Sequence, residues 1–368
     1  MVRQGSPARI IAIAAAFVLT AGVMPGCAAD YFAGKSIDMI VGSDAGGPFD
    51  LYGRLIAGHI VDHIPGRPII IPKNMPGAAG NKAASYLYSI AAKDGTAIGV
   101  TTPGVIMGPL INDDLKQRFD PTKFFYLGSA DSAARVCATY MTSRIKTFED
   151  ARTAKVIVGA TADGGASKDY PTILNAVAGA KFEIVAGYKG VGEYLLAKER
   201  GEVDGTCTGW SVFPSTKPEW IRERKINILL QLGVEPDPEF TAMGVPEVWS
   251  YLKSDDDRRM VELMVSQQEF QRPYILPPGT PMQAVEILRA AFVATMQDPA
   301  FLDDAAKARL TVHWASGARV QELVDRIYKT PAALVERYKQ VVGTDRSGRS
   351  LQVNGGRGVS YMIHGWLR

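Results

Sequence analysis

Hydrophobic and polar positions follow two rhythms along this chain. Short apolar runs such as Ile37, Met39, Ile40 and Val41 have the length and branching of strands. Longer stretches repeat apolar residues every third or fourth position, as helices do. From residue 37 to 135 the two rhythms take turns. After the first strand, Leu51, Leu55, Ile56 and Ile60 mark a helix. "PIIIPKN" predicts a strand, and Ala84, Leu87, Tyr88 and Ala91 a helix running to a glycine stop at Gly95. "TAIGVTT" is the next strand. Alternation of this kind predicts a parallel sheet covered by helices.

A second such run opens near residue 155, with a strand at Val156 to Gly159 and a helix carrying Tyr170, Ile173, Leu174 and Val177. "VDGTCTGW" and "INILLQLG" are further strand candidates. The prolines of "QRPYILPPGTP" mark a connection, and Thr280-Pro281 starts a helix whose stripe is Val285, Leu288, Phe292 and Met296. "DPAFLDDAAKARL" and "TPAALVERYKQVV" predict two more helices. The tail, residues 344–368, has scattered glycines and little periodicity, with "VSYMI" as a candidate edge strand.

Composition narrows the class. A chain of 368 residues with 46% hydrophobic and 21% charged residues is an ordinary globular protein, expected to form two cores. Its start differs: Arg3 and Arg9 precede an apolar run from Ile10 to Met24, and small residues follow at "GCAAD". That is the build of an export signal, cut near Ala29 and covering residues 1–29. "MPGC" is a poor lipid-attachment site, so Cys27 is expected to leave with the signal. Removing the signal takes the formal charge from +3 to +1, which gives no support for a nucleic-acid partner. Cys137 and Cys207 remain. An oxidising compartment permits a disulfide between them, and two separate buried thiols are the alternative.

The stretch "IDMIVGSDAGGPFDLYGRLIAGHI" carries the first chemical signal. A strand runs into Gly46-Gly47, and Pro48 then suits the first position of a helix. "KVIVGATADGGASKDYPTIL" repeats the device about 120 residues later, with Asp163, Gly164 and Gly165 where the first has Asp44, Gly46 and Gly47 in the same short loop. Helix N-termini attract anions because their first N–H groups lack partners, so two matching loops suggest one shared anion. Nucleotide phosphate is the wrong anion: Gly47 is followed by Pro48-Phe49-Asp50 and not by Lys and Ser or Thr. His59 and His63 have the spacing of a zinc pair, yet Ile60 stands where the zincin pattern has Glu, so no metal is expected. No serine or cysteine sits in a nucleophile elbow, and Lys189 in "GYKG" reads as a solvated loop lysine. Binding without turnover or cofactor is the better reading.

From about residue 36 to 342 the chain resembles the periplasmic solute-binding proteins of tripartite tricarboxylate transporters, the Bug family. "DAGGPFDLYGR" stands for the family's Pro-Gly-Gly-x-x-Asp turn, with Asp50 and Arg54 in the matching places. "NMPGAAGN" stands for Asn-x-Pro-Gly-Ala-Gly-Gly, and "KDGTAIGVTTPG" for the next strand and its loop. "GATADGGASKDY", "GYKG", "RGEVDG" and "YILPPGTP" follow in the family's order.

The resemblance implies an α/β fold of the two-lobed periplasmic binding protein type (type II-like). Each lobe would be a mostly parallel sheet flanked by helices, with a ligand cleft between the lobes. One lobe would comprise residues 36–135 plus 275–343 and the other 136–274, closing on a hinge. The ligand would be a small organic acid passed to the membrane permease subunits of a tripartite transporter by a monomeric periplasmic receptor. A receptor of the same fold serving a sensor, or a secreted enzyme, are the rival readings. The implied site comprises the loop from Ser43 through Asp44, Gly46 and Gly47 to Asp50, then Ala78, Ala79, Gly80 and Asn81, then Thr101 and Thr102. The second lobe would add Thr161, Asp163, Gly164, Gly165, Ser167, Tyr188 and Trp210. Gly46, Gly47, Gly164 and Gly165 would donate backbone N–H groups, Thr102 and Ser167 hydroxyls, and Tyr188 and Trp210 walls. Asp204 reads as structural. Asp44 stands where the family has an uncharged residue, and Asp163 repeats that charge opposite. This suggests an amine or another cationic or hydrogen-donating group on the ligand besides its carboxylate. Two aspartates that only satisfy their own loops are the alternative.

Overall fold

The computed structural model describes residues 31–132, 134–161, 166–188 and 191–343. The export signal, the loop residues Asp163, Gly164 and Gly165, Lys189, and the tail with "VSYMI" lie outside the described residues.

The first strand, β1 (Ser36–Val41), sends Ile37, Met39 and Val41 into one core and Ile40 into another. Both faces of its sheet are therefore covered, and the strand reads as a continuous apolar run. It pairs in parallel with β2 (Ile69–Asn74) and β3 (Ala97–Val100). Beyond β3 the sheet continues with β10 (Pro273–Leu276), antiparallel to both β3 and β4 (Phe125–Ser129), and ends on β11 (Ala315–Ser316). The second sheet contains β5 (Arg135–Tyr140), β6 (Val156–Gly159), β7 (Phe182–Val185), β8 (Gly205–Gly209) and β9 (Ile226–Leu232). Its order is β7-β6-β8-β5-β9, parallel across β7, β6 and β8 and antiparallel around β5. The sheets are thus mixed, and their antiparallel members flank the places where the chain crosses between them. The sequence rhythm predicted parallel pairing and took "QRPYILPPGTP" for a connection. Its segment Pro273–Leu276 is instead the antiparallel strand β10, whose four buried residues are too few, among prolines, to show a strand rhythm.

Helices of two turns or more cover both sheets: α1 (Pro48–Ile60), α2 (Asn81–Ser89), α3 (Pro103–Ile111), α4 (Ala166–Val177), α5 (Val191–Glu199), α6 (Asp255–Ser266), α7 (Met282–Gln297), α8 (Pro299–Lys307), α9 (Gly317–Ile327) and α10 (Ala332–Val342). On one face of the first sheet, Tyr52, Ile56 and Ile60 of α1 pack with Leu288 and Phe292 of α7. On the other, Leu87 and Ile106 join a core that runs on to Phe148, Ile173 and Leu174 on helices beside the second sheet. The terminal helix α10 contacts both α3 and α4, so it ties the two sheets together. A third core, with Tyr194, Phe213, Trp220 and Phe240, fills the remaining face of the second sheet.

Helix α2 stops at Ser89, short of the predicted Gly95. The Ile90 and Ala91 N–H groups both turn back to the Tyr86 carbonyl, and Gly95, at φ 86°, makes the corner into β3. Cys137 and Cys207 stand opposite each other on β5 and β8 and form a disulfide.

Candidate functional site

Strand direction places the candidate loops. The C-terminal ends of β1, β2 and β3 lie along one edge of the first sheet, and the end of β4 and the start of β10 share that edge. In the second sheet the ends of β6 and β8 share an edge with the start of β5. Residues 130–134 join Ser129 on the first edge to Arg135 on the second. Both loop-bearing edges therefore abut one short crossing. A second crossing runs beside it: the Ala130 N–H donates to the Arg272 carbonyl (3.0 Å) and the Gln271 N–H to that of Asp131 (3.2 Å).

On the first edge the loops brace one another. Asp50, buried in the first turn of α1, accepts from the Gly46 N–H (2.8 Å), Arg54 Nε (2.9 Å) and Asn74 Nδ2 (2.8 Å). Asn74 also donates to the Ser43 carbonyl (3.1 Å) and accepts from Arg54 (2.9 Å). The Arg54 hydrogen bond, helped by those from Gly46 and Asn74, holds the Asp50 carboxyl down to about 2. Its two oxygens are thereby engaged within the loop. The Gly46 N–H is spent on Asp50, and the Gly47 N–H points to the Asp44 carbonyl at 3.4 Å. The expectation that these two glycines donate to a ligand thus meets donors already turned inward. Since Pro48 has no N–H, the donors left at this helix start belong to Phe49 and Asp50. The Asp44 residue itself is exposed.

The neighbouring turn is strained. Gly77, Ala78, Ala79 and Gly80 all have positive φ, with Ala78 at 47° and Ala79 at 53°, where a Cβ is unfavourable. Asn81 Nδ2 donates to the Ala78 carbonyl (2.7 Å) and Thr102 Oγ1 to that of Ala79 (2.9 Å). This turn rides against the first loop: a Cβ on Gly42 would meet the Gly80 Cα at 3.2 Å. Thr101 Oγ1 and Asn81 Oδ1 are buried here without a hydrogen-bond partner among the described residues.

The second edge repeats the brace. Ser167, in the first turn of α4, accepts from the Thr161 N–H (3.0 Å) and lies 3.1 Å from Thr161 Oγ1. The Gly187 N–H donates to the Thr161 carbonyl and the Tyr188 N–H to that of Ala160. Trp210 packs edge-on against Phe240 (centroids 5.1 Å apart), and its backbone N–H donates to the Ala134 carbonyl in the crossing. Asp204 accepts from Ser143 Oγ and the Ile157 N–H, a structural role. His59 and His63 lie 3.2 Å from Asp304 and 3.0 Å from Asp298, joining α1 to the α8 region.

Beside the crossing is a cavity of about 250 Å³ lined by residues outside the strands, including Asp131, Thr311, Trp210, Asp237 and Glu239. Of these, only Trp210 was expected. Burial pushes the Asp131 carboxyl up to about 6, against the pull of the nearby Arg272 guanidinium and a hydrogen bond from Thr311 Oγ1 (3.1 Å). Arg272 lies over the rings of Phe49 (4.4 Å) and Tyr52 (5.3 Å), linking the crossing to the first loop. These residues sit in connections without a motif. The one sequence trace was a charged residue at each end of the crossing, in "ADSAAR".

No protein-family model matches the sequence, and no curated protein matches it significantly. Solved structures do match, and they define the class: the fold is that of the two-lobed periplasmic solute-binding proteins. A TctC solute-binding protein from Polaromonas, solved without ligand, superposes with TM-score 0.67 at 17% identity, over 83% of this chain and 99% of that one. MatC from Rhodopseudomonas palustris with bound malate gives 0.50 at 19% identity (84% and 100%). The R. palustris protein Rpa4515 with adipate gives 0.52 at 19% (84% and 98%). No helix among the described residues is long and apolar enough to cross a membrane.

Proposed function

We propose that the protein is an extracytoplasmic receptor of the tripartite tricarboxylate transport type. In this reading it is an exported monomer that captures a small carboxylate-bearing metabolite between its lobes and passes it to membrane permease subunits. Residues 36–135 with 275–343 form one lobe and 136–274 the other. The observation that carries the reading is the pair of matching helix starts, α1 and α4. Each follows a strand, each is braced by a first-turn side chain reaching back to the loop, and both stand on edges that abut the same crossing. Such starts offer unpaired N–H groups and the positive end of the helix dipole to an anion. Neighbours solved with malate and adipate make dicarboxylates the first candidates. Asp44 and Asp163 keep an amine-bearing acid in the panel.

The test is a thermal-shift screen of the mature chain against mono-, di- and tricarboxylates, amino acids and aromatic acids. A ligand at a hundred times its dissociation constant adds about 2.7 kcal/mol of stability, which such a screen resolves. A shift with one or more acids is the expected result. Silence across the panel overturns the reading.

A further inference from the structure

Arg135 opens β5 immediately after the crossing and lines a cavity of about 130 Å³ at the junction of the two sheets. Its guanidinium carbon lies 5.2 Å from the centre of the Tyr170 ring. That ring is fixed from α6 and its end: Gln268 Nε2 donates to the Tyr170 hydroxyl (2.9 Å), which itself donates to the Met264 carbonyl (3.3 Å). The ring that the guanidinium lies over is therefore held in place.

What the site lacks is a counter-charge. Arg135 Nε is buried with no hydrogen-bond partner among the described residues, and no described carboxylate forms an ion pair with the guanidinium. Three acids line the same cavity, and two of them are engaged elsewhere. Glu235 pairs with Arg319 at 2.9 Å, and Asp237 caps the short helix Pro238–Ala242 by accepting from the Glu239 and Phe240 N–H groups. Burial favours the neutral form of Glu269. A half-buried cation with an orphaned donor is costly unless something anionic meets it.

We propose that Arg135 is the charged anchor for one carboxylate of the captured solute, its planar fork held ready by the Tyr170 ring. The proposal rests on the solute-binding reading above and adds to it a named residue and a charge requirement. A guanidinium offers two parallel N–H donors to a carboxylate, which a lysine cannot reproduce. Because Arg135 begins the strand that follows the crossing, an anion bound there acts directly on the segment about which the lobes would move.

Isothermal titration of the mature chain with malate, adipate and citrate tests this, with Arg135→Gln and Arg135→Lys alongside the wild type. Melting temperatures of the free variants report their folding. The expected result is that Arg135→Gln weakens the best of the three acids at least tenfold and flattens the salt dependence of binding, with Arg135→Lys in between. Wild-type affinity in Arg135→Gln overturns the anchor and leaves the solute-binding reading standing. Should the wild type bind none of the three, the best acid of the thermal-shift panel takes their place in the same titration. Binding of no carboxylate in either experiment overturns the anchor together with the carboxylate reading. If Arg135→Gln does not fold, Arg135→Lys decides: a loss of threefold or more supports the fork, and unchanged affinity overturns it.

Discussion

Lys198 shows what a single residue can cost this fold. It stands in α5, 1% exposed, with its amine over the rings of Phe213 (5.1 Å) and Trp220 (5.4 Å) and no hydrogen-bond partner among the described residues. The adjacent residue Glu199 pairs with Lys217 and accepts from Trp220 Nε1, so it does not serve Lys198. Burial pushes the Lys198 amine down to about 7. The unfolded chain therefore binds this proton more tightly than the folded one between that value and the ordinary lysine range. Stability must rise with pH across that window, and the full penalty applies below it. Lys198→Met is expected to stabilise the protein by about 1–3 kcal/mol at pH 7. Chemical unfolding from pH 7 to 10 checks it: the wild type should gain on the variant as pH rises, and parallel curves would refute the account.

At the scale of elements, the repeated unit is a strand, a tight loop and a helix whose first turn holds the loop. Asp50 does this for α1 and Ser167 for α4, and the first is the stronger because its acceptor is charged. Asp50→Asn should cost about 2 kcal/mol, since one carboxylate serves three donors. The Asp50 acidity is enhanced in the folded state, so its contribution is present above the usual carboxylate range and lost as pH falls towards about 2. The acid limb of the wild-type stability curve should accordingly be steeper than that of Asp50→Asn. Urea unfolding at pH 3 and pH 7 measures both differences. The unit itself was legible in the sequence, because Gly46-Gly47 and the apolar stripe of α1 are local signals. Which groups the loop's own donors would choose was not, since Asn74 reaches Asp50 from 24 residues away.

For the whole molecule the question is how two sheets make one cleft. They are joined by paired crossings, by the core that continues from Leu87 and Ile106 to Ile173 and Leu174, and by α10 laid across both. A proposed closure must bend the crossings while α10 keeps its place. Small-angle scattering is expected to show a radius of gyration, about 20 Å for a compact chain of this size, that falls when a binding acid is added. Unchanged scattering at saturating ligand would mean capture without closure.

The sequence by itself determined the local and repetitive features. Apolar periodicity marked β1, β2, β3, β6, β8 and β9 and the helices α1, α2, α4, α7, α8 and α10, and the ordered series of short glycine motifs placed the chain beside the periplasmic binding proteins. Those signals are local because a helix or strand needs its pattern within a few residues. Only the tertiary structure decided the rest. It reversed β5 and β10 against their neighbours, brought Cys137 opposite Cys207 across 70 residues, and turned the Gly46 N–H inward to Asp50. It also gathered Asp131, Arg135 and Arg272 at the crossings. Burial and missing counter-charges are properties of the packed molecule, set by side chains distant in sequence, so no window of the chain could have displayed them.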